Sequence, residues 1–512
     1  MARGVRRERG FGRGVHAAPP RAAGGLAAAG PEGLLALSFV TLLEASARRA
    51  PDAPALVWDE GALAAGELHR RAEACAATLA LRGLGPGDRL ALEIGNQAAL
   101  PVALLAGWRL GTTVAPLDVH LGKDDRQAIL ADLVPHLVLT GRDVDEAVTA
   151  TTGAATSPGR PLPRPPAPAL VLYTSGSTGR PKGAVLSHGA LETANRSWAG
   201  PVMALSPEDI VLAVLPLAHS FGLNGALLAP LLAGARVVLV ERFTPEAALE
   251  AIRRHRVTVF PGVATMFRRI LDSGALASAD LRSLRLCVSG AAPLAWDLAE
   301  EWRARTGVRI LRGYGMTELF RPISYRADDP LDLPEAMGRP VPGVDVRLVD
   351  EAGRDVAAGD VGELWIRTPA AMDGYLAAPH ETRAVLADGW FRTGDLARLL
   401  PGGFVAITGR KRERILRGGY SVFPTEVEAV LLAHPDVAEA AVVGVPHAEL
   451  GEEVAAFVAL RPGAACRAEE LIAHCRARLA GFKYPRRVTL LSALPRSATG
   501  KILKAQLAGG DH

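Results

Sequence analysis

Residues 172–183 read Leu-Tyr-Thr-Ser-Gly-Ser-Thr-Gly-Arg-Pro-Lys-Gly, and their types suit the binding of an anion. An apolar run, Leu170-Val171-Leu172, leads into Thr174, Ser175, Gly176, Ser177 and Thr178, all hydroxyl or glycine. Gly179, Arg180, Pro181 and Lys182 follow. A strand that ends in small residues frees consecutive backbone N–H groups to curl round an anionic group, while hydroxyls add donors and basic residues add charge. Surface turns also use Ser, Thr and Gly. They do not usually join a buried strand, a hydroxyl cluster and a fixed lysine. The Walker loop is excluded, because it needs Gly-Lys followed at once by Ser or Thr, and here Gly183 and Ala184 follow Lys182.

The elements around this loop predict an α/β fold. Apolar residues recurring every three or four positions predict helices from Ser38 to about Ala50, Glu67 to Leu81 and Ala98 to Leu110, with a strand at Arg89-Leu90-Ala91-Leu92. The Pro-rich stretch from Pro158 to Pro168 reads as a loop delivering the chain into the strand before Thr174. Beyond it, strand and helix alternate: Ile210 to Leu215, Gly222 to Leu232, Arg236 to Val240, Pro245 to His255, Val257 to Pro261. Such units imply parallel sheet covered by helices. Short alternating strands at Gly343 to Asp350 and Gly362 to Arg367 predict a more antiparallel layer. The last hundred or so residues read as a small α/β unit: helix Pro424 to Ala433, strands Val437 to Val445 and Ala455 to Leu460, helix Ala468 to Leu479.

Composition sets the class. At 512 residues the chain is too long for one ordinary core, and 49% hydrophobic with 22% charged residues fits a soluble enzyme. A net charge of +4 is small, and the first 25 residues alone carry six arginines and one glutamate. No concentrated basic face points to nucleic acid. The segment 1–34 lacks the apolar core of a secretory signal and reads as a disordered basic extension. From Val211 to Ala235 there is no charged residue, long enough to span a bilayer, but Pro216, His219, Asn224 and Pro230 interrupt it, so a buried strand, loop and helix are expected. Cys75, Cys287, Cys466 and Cys475 show no paired or metal-ligand spacing, as in a reduced, cytoplasmic protein.

The loop closely resembles the phosphate-binding loop of the adenylate-forming (AMP-binding) superfamily. Further blocks follow in that family's order: Leu215-Pro216-Leu217-Ala218-His219, Ser289-Gly290-Ala291-Ala292-Pro293, Tyr314-Gly315-Met316-Thr317-Glu318, Gly362-Glu363-Leu364, Thr393-Gly394-Asp395, Gly409-Arg410, Gly418-Gly419, and Thr499-Gly500-Lys501. The resemblance runs from about residue 38 to 505 and is closest to the branch of acyl-CoA synthetases that act on fatty or aryl acids. It implies a large N-terminal domain (35–411) of helix-covered mixed sheets with a β-rich subdomain. A small mobile C-terminal α/β domain (412–512) follows, hinged at Arg412.

A carboxylate is a poor electrophile at neutral pH, and conversion to an acyl-adenylate gives it AMP as leaving group. That step needs donors on the triphosphate, Mg2+ against its charge, and a cation over the attacking carboxylate. Thr174, Ser175, Ser177, Thr178 and Lys182 suit the β- and γ-phosphates. By resemblance, Thr317 contacts the α-phosphate and Glu318 holds Mg2+ at the start of a helix. Asp395, expected at a turn, takes the ribose hydroxyls with Arg410, and Tyr314 and Gly290-Ala291-Ala292 wall the adenine. Lys501 swings in for adenylation, after which rotation about Arg412 brings up the Gly418-Gly419 face as a thiol channel.

For the acyl pocket, His219, Phe221, Gly222, Val263, Gly290, Gly313, Met316 and Leu319 are the candidates, with His219 either a gate or a hydrogen-bonded core residue. An α-amino acid would need an acidic partner, and none lies from Leu217 to Asn224. A small dicarboxylate would need a cation, yet residue 313 is Gly. A monocarboxylic acid, fatty or aryl, is therefore expected, with coenzyme A as acceptor and ATP and Mg2+ as cofactors. The alternatives are acyl-AMP transfer to a carrier protein, or a non-catalytic relative binding nucleotide or acyl groups. A homodimer is an allowed assembly.

Overall fold

The computed structural model describes residues 38–150, 166–175, 181–292, 294–329, 333–496 and 502–508. Two helix-covered sheets form the bulk of the chain. One has six strands in the order Gly374–Tyr375, Pro181–Ser187, Pro168–Ser175, Thr113–Pro116, Arg89–Glu93, Leu137–Thr140. The other has seven: Ile310–Leu311, Leu286–Ser289, Val259–Gly262, Ile210–Ala213, Arg236–Leu239, Pro54–Trp58, Gly61–Ala64. Their central pairs are parallel, as the alternation of strand and helix demands, with antiparallel hairpins at the edges. The helix Pro245–His255 shows why the local pattern folds as expected. Thr244 accepts from the Ala247 N–H, Pro245 sits in the first turn, and Arg253, Arg254 and His255 face the negative end of the helix.

The charge-poor stretch becomes the strand Ile210–Ala213, a π-helical segment Gly222–Leu228 with all seven residues buried, and the helix Ala229–Ala233. No described helix is long and apolar enough to cross a membrane.

The β-rich layer is also present. Asp345–Val349, Gly362–Arg367, Trp390–Leu400, Leu386–Ala387 and Phe404–Arg410 form an antiparallel sheet. A three-stranded sheet of Gly313–Met316, Phe320–Ser324 and Arg339–Pro340 adjoins the large core. C-terminal residues build their own core, from Ile415, Val422, Val427, Leu431 and the inward faces of Val437–His447 and Gly451–Leu460. The chain is thus α/β, with a large N-terminal domain, a β-rich subdomain and a small C-terminal α/β domain.

Candidate active site

A cavity of about 1800 Å³ opens where the ends of these sheets meet. Its walls bring together Thr174, Lys182, Gly290, Ala291, Ala292, Thr317, Glu318, Asp395, Arg410 and Arg412, which lie far apart in sequence.

Asp395 sits within a strand, not at the turn expected for it. Trp390–Leu400 pairs with Gly362–Arg367 so that Leu396 opposes Glu363 but Arg392 opposes Trp365. The extra residues bulge out, with Gly394 at φ 69°, and a bulge re-aims side chains at the edge of a sheet. The Asp395 carboxylate accepts from the Tyr314 hydroxyl at 2.6 Å, and Arg410 Nε lies 3.1 Å from its other oxygen. Burial, and then the Asp395 charge, hold the Tyr314 phenol well above its ordinary range, so it stays a donor.

Thr317 and Glu318 are not at a helix start either. They occupy the turn between the antiparallel strands Gly313–Met316 and Phe320–Ser324. Pro322 explains the difference, since it lacks an N–H and disfavours the helical region for the residue before it. The Tyr375 hydroxyl donates to Glu318 at 2.7 Å, and Lys182 Nζ stands 5.6 Å from the centre of the Tyr375 ring. The Lys182 contact follows from strand pairing, because Gly374–Tyr375 pairs with Pro181–Ser187, in which Lys182 opposes Thr174. The Met372 N–H donates to the Glu318 carbonyl at 2.8 Å, which ties Glu318 to the segment before Tyr375.

His219, Phe221, Gly222, Val263, Gly290, Gly313 and Met316 line the cavity. Leu319 does not; at 1% exposure it packs into the main core. The His219 Nε2 lies 3.0 Å from Asp118, whose carboxyl is held below its ordinary range chiefly by that bond. The Phe221 ring stacks on Trp198 with centres 5.6 Å apart. Arg312 turns away to the carbonyls of Leu333 and Pro334. Arg321 instead reaches the cavity wall, so the part expected to take the acyl group does hold a cation. No motif marks it. The one sequence signal is a basic residue set inside the apolar run Leu319-Phe320-Arg321-Pro322-Ile323.

Arg412 lies in the short turn Lys411–Glu413 and faces the cavity. Gly418 and Gly419 make the tight turn between Ile415–Arg417 and Tyr420–Val422, with φ of 54° and 83°, and are not part of the cavity wall. The small domain does contribute Ala438, Glu439, Arg461, Pro462 and Arg496 to that wall, with Arg496 paired to Glu439. Gly176, Ser177, Thr178, Gly179 and Lys501 lie outside the described residues, as does the side chain of Ser175.

Residues 43–376 match the AMP-binding enzyme family and residues 426–501 match the AMP-binding enzyme C-terminal domain. The chain belongs to this family. It is 36% identical over 482 residues to a feruloyl-CoA synthase of Amycolatopsis sp, covering 90% of this chain and 96% of that one. It is 33% identical over 531 residues to a long-chain-fatty-acid–CoA ligase of Yersinia pestis, covering 92% and 94%. Among solved structures, ATP-bound MatB from Rhodopseudomonas palustris superposes with a TM-score of 0.85 at 31% identity, over 92% of this chain and 98% of that one. The protein is an ATP-dependent acid–coenzyme A ligase that works through an acyl-adenylate.

Proposed function

We propose that the cavity activates a monocarboxylic acid, fatty or aryl, with release of pyrophosphate, and then passes the acyl group to coenzyme A. The observation that carries this reading is the convergence, in one cavity, of Asp395 and Arg410, the Thr317–Glu318–Lys182 group and an apolar arm formed by Trp198, Phe221 and Met316, with Tyr314 behind the wall on Asp395.

Asp395, with one oxygen on Tyr314 and the other near Arg410, suits the paired hydroxyls of a ribose. Gly290, Ala291 and Ala292 leave room for a flat base against Tyr314. Thr174 and Lys182, with Ser175, Gly176, Ser177, Thr178 and Gly179, would cradle the β- and γ-phosphates, and Thr317 would reach the α-phosphate. Glu318 fits Mg2+: its carboxylate faces the cavity, one oxygen fixed by Tyr375, and a hard cation prefers carboxylate oxygen. The ion would supply charge neutralisation at the phosphates.

Lys501 would lie over the carboxylate and α-phosphate during adenylation. Rotation of the small domain about Arg412, near the boundary at residues 411 and 412, would then replace Lys501 by the Gly418-Gly419 turn and admit the thiol. Only glycine readily takes the positive φ at both positions of that turn. The proposal extends to a cytoplasmic enzyme, which four buried free cysteines favour, and to a homodimer as the allowed assembly.

The test is a panel of acids with MgATP, with and without coenzyme A. Pyrophosphate should appear only when an acid is present, and acyl-CoA only when the thiol is added. Inorganic phosphate as the direct product would overturn the adenylation reading.

A further inference from the structure

The cavity's arginines are not alike. Arg410 has Asp395, Arg496 has Glu439, and Arg268 has Asp272 and Glu301. Arg269, Arg392, Arg412 and Arg461 form no ion pair among the described residues but are not buried; Arg321, only 6% exposed, also has no carboxylate partner among them. Its Nε donates to Ser324 Oγ at 2.9 Å, one terminal nitrogen to the Ser289 carbonyl at 2.7 Å, and the other to the Leu311 carbonyl at 3.3 Å. A guanidinium has five N–H donors, so one on each terminal nitrogen has no protein acceptor among the described residues. Burial lowers its pKa to about 9, which still leaves it charged at neutral pH. A buried cation without a counter-ion is costly, and removing water from it is the larger part of the cost.

Its position explains what the cost could serve. The strand Phe320–Ser324 runs back along Gly313–Met316, and Arg321 crosses that hairpin to fill the space a side chain at Gly313 would take. A Cβ built on Gly313 would lie 2.3 Å from the guanidinium carbon. A Cβ on Gly290 would lie 3.3 Å from a terminal nitrogen and 3.1 Å from the Phe221 ring. The other side of the guanidinium faces Trp198, 5.2 Å from the ring centre. Gly290, Gly313, Phe221, Trp198 and Arg321 all belong to the cavity wall. The two glycines therefore open the wall just where the charge stands, in an otherwise apolar arm.

We propose that Arg321 is a specificity-determining residue, and that the monocarboxylic acid this enzyme activates carries a hydrogen-bond-accepting oxygen group on its apolar body, a carbonyl or an ionised sulfonate-like group, which docks on the guanidinium. The inference rests on the adenylation reading above and narrows its substrate class. A site built round an unsatisfied buried donor rejects ligands that leave it unsatisfied, so an unsubstituted chain or ring is the wrong occupant. Removing the side chain entirely would give a deeper, plain apolar pocket. The guanidinium converts that pocket into one that reads a polar end.

The experiment measures kcat/KM by pyrophosphate release on the full-length enzyme with matched acids: hexanoate against 5-oxohexanoate, and 3-phenylpropanoate against its 4-acetyl and 4-sulfo derivatives. The oxygen-bearing member should lead by about 10- to 100-fold, the range for a hydrogen bond to a charged group. A lead confined to the sulfo derivative assigns an ionised group, and a lead shared with the acetyl compounds assigns a carbonyl. Arg321→Met should erase the preference, and Arg321→Lys should restore part of it. These ratios are taken within one protein, so a loss of folded fraction does not move them. Equal use of the plain acids by the parent, or a preference that survives in Arg321→Met, overturns the inference and leaves adenylation standing. No pyrophosphate with any acid overturns both.

Discussion

The two ends of the cavity handle charge in opposite ways. At the end proposed for the nucleotide the carboxylates of Asp395 and Glu318 already have protein partners: Tyr314 and Arg410 hold Asp395, and Tyr375 holds Glu318. At the proposed acyl end the buried guanidinium of Arg321 faces the Trp198 ring and, among the described residues, donates only to a hydroxyl and two carbonyls. Paired groups are pre-organised, so they recognise a constant ligand without rearrangement. A group left short of acceptors selects among ligands, because its cost is relieved only by the right one. On the proposed assignment the constant part of the reaction, the nucleotide, would meet a satisfied constellation, and the variable part, the acid, an unsatisfied one.

The largest effect should come from breaking the nucleotide end at Lys501. Lys501→Ala is expected to lower acyl-adenylate formation by about 2–4 kcal/mol of transition-state stabilisation, the loss typical of one well-placed donor. Conversion of supplied acyl-AMP and coenzyme A to thioester should largely survive, because Lys501 is assigned to the first half-reaction alone. Pyrophosphate exchange and thioester yield, measured side by side, separate the two. An equal fall in both half-reactions would remove the domain-rotation reading and with it the assignment of Lys501 to this end.

The same contrast decides what could be read from sequence. The nucleotide end is written in short contiguous blocks, because a strand followed by a tight loop presents neighbouring residues to one phosphate or one sugar. The block at residues 314–318 and the Thr393-Gly394-Asp395 block could therefore be found in the sequence, and the fold brings Thr317, Glu318 and Asp395 to one cavity. Their backbone could not. Pro322 makes a hairpin where a helix start is expected, and the bulge before Leu396 depends on pairing with a strand some thirty residues earlier. The helices with capping residues and 3.6-residue periodicity, such as Pro245–His255, were legible in full. Arg321 was not, because its meaning lies in two distant glycines that make room for it. Leu319 was misplaced for a related reason: it lies in the turn before Phe320–Ser324, and which turn residue packs into the core depends on how the flanking strands pair.

A smaller effect should follow from loosening one partner at the nucleotide end while keeping its shape. Tyr314→Phe preserves the aromatic wall and deletes the donor to Asp395. With Arg410 still near the other oxygen, the loss should be about 1–2 kcal/mol, toward the low end for one hydrogen bond to a charged group. It should appear as an approximately 5- to 30-fold rise in KM for ATP, with kcat at saturating ATP little changed. A fall in kcat at constant KM would mean that this hydroxyl acts in the transition state and that Asp395 does more than bind.

The smallest effect concerns a self-satisfied polar pair at the proposed acyl end, His219 and Asp118. The folded chain holds the Asp118 carboxyl below its ordinary range, first through the His219 bond and further through the His120 N–H, against burial, which raises it. Its proton is therefore bound more weakly in the folded than in the unfolded chain. The resulting stability is fully present above the unfolded carboxylate value, about 3.9, and is lost as pH falls through the folded one. His219→Ala removes the largest cause and should lower unfolding stability by about 0.5–1 kcal/mol at pH 7, modest because the imidazole is one-third exposed. Urea midpoints compared from pH 7 downward should show the gap between parent and variant narrowing below about pH 4. A gap that stays constant through that range would assign the cost to lost packing at the cavity mouth. The acyl end would then hold no satisfied polar pair of consequence, and its contrast with the nucleotide end would be sharper still.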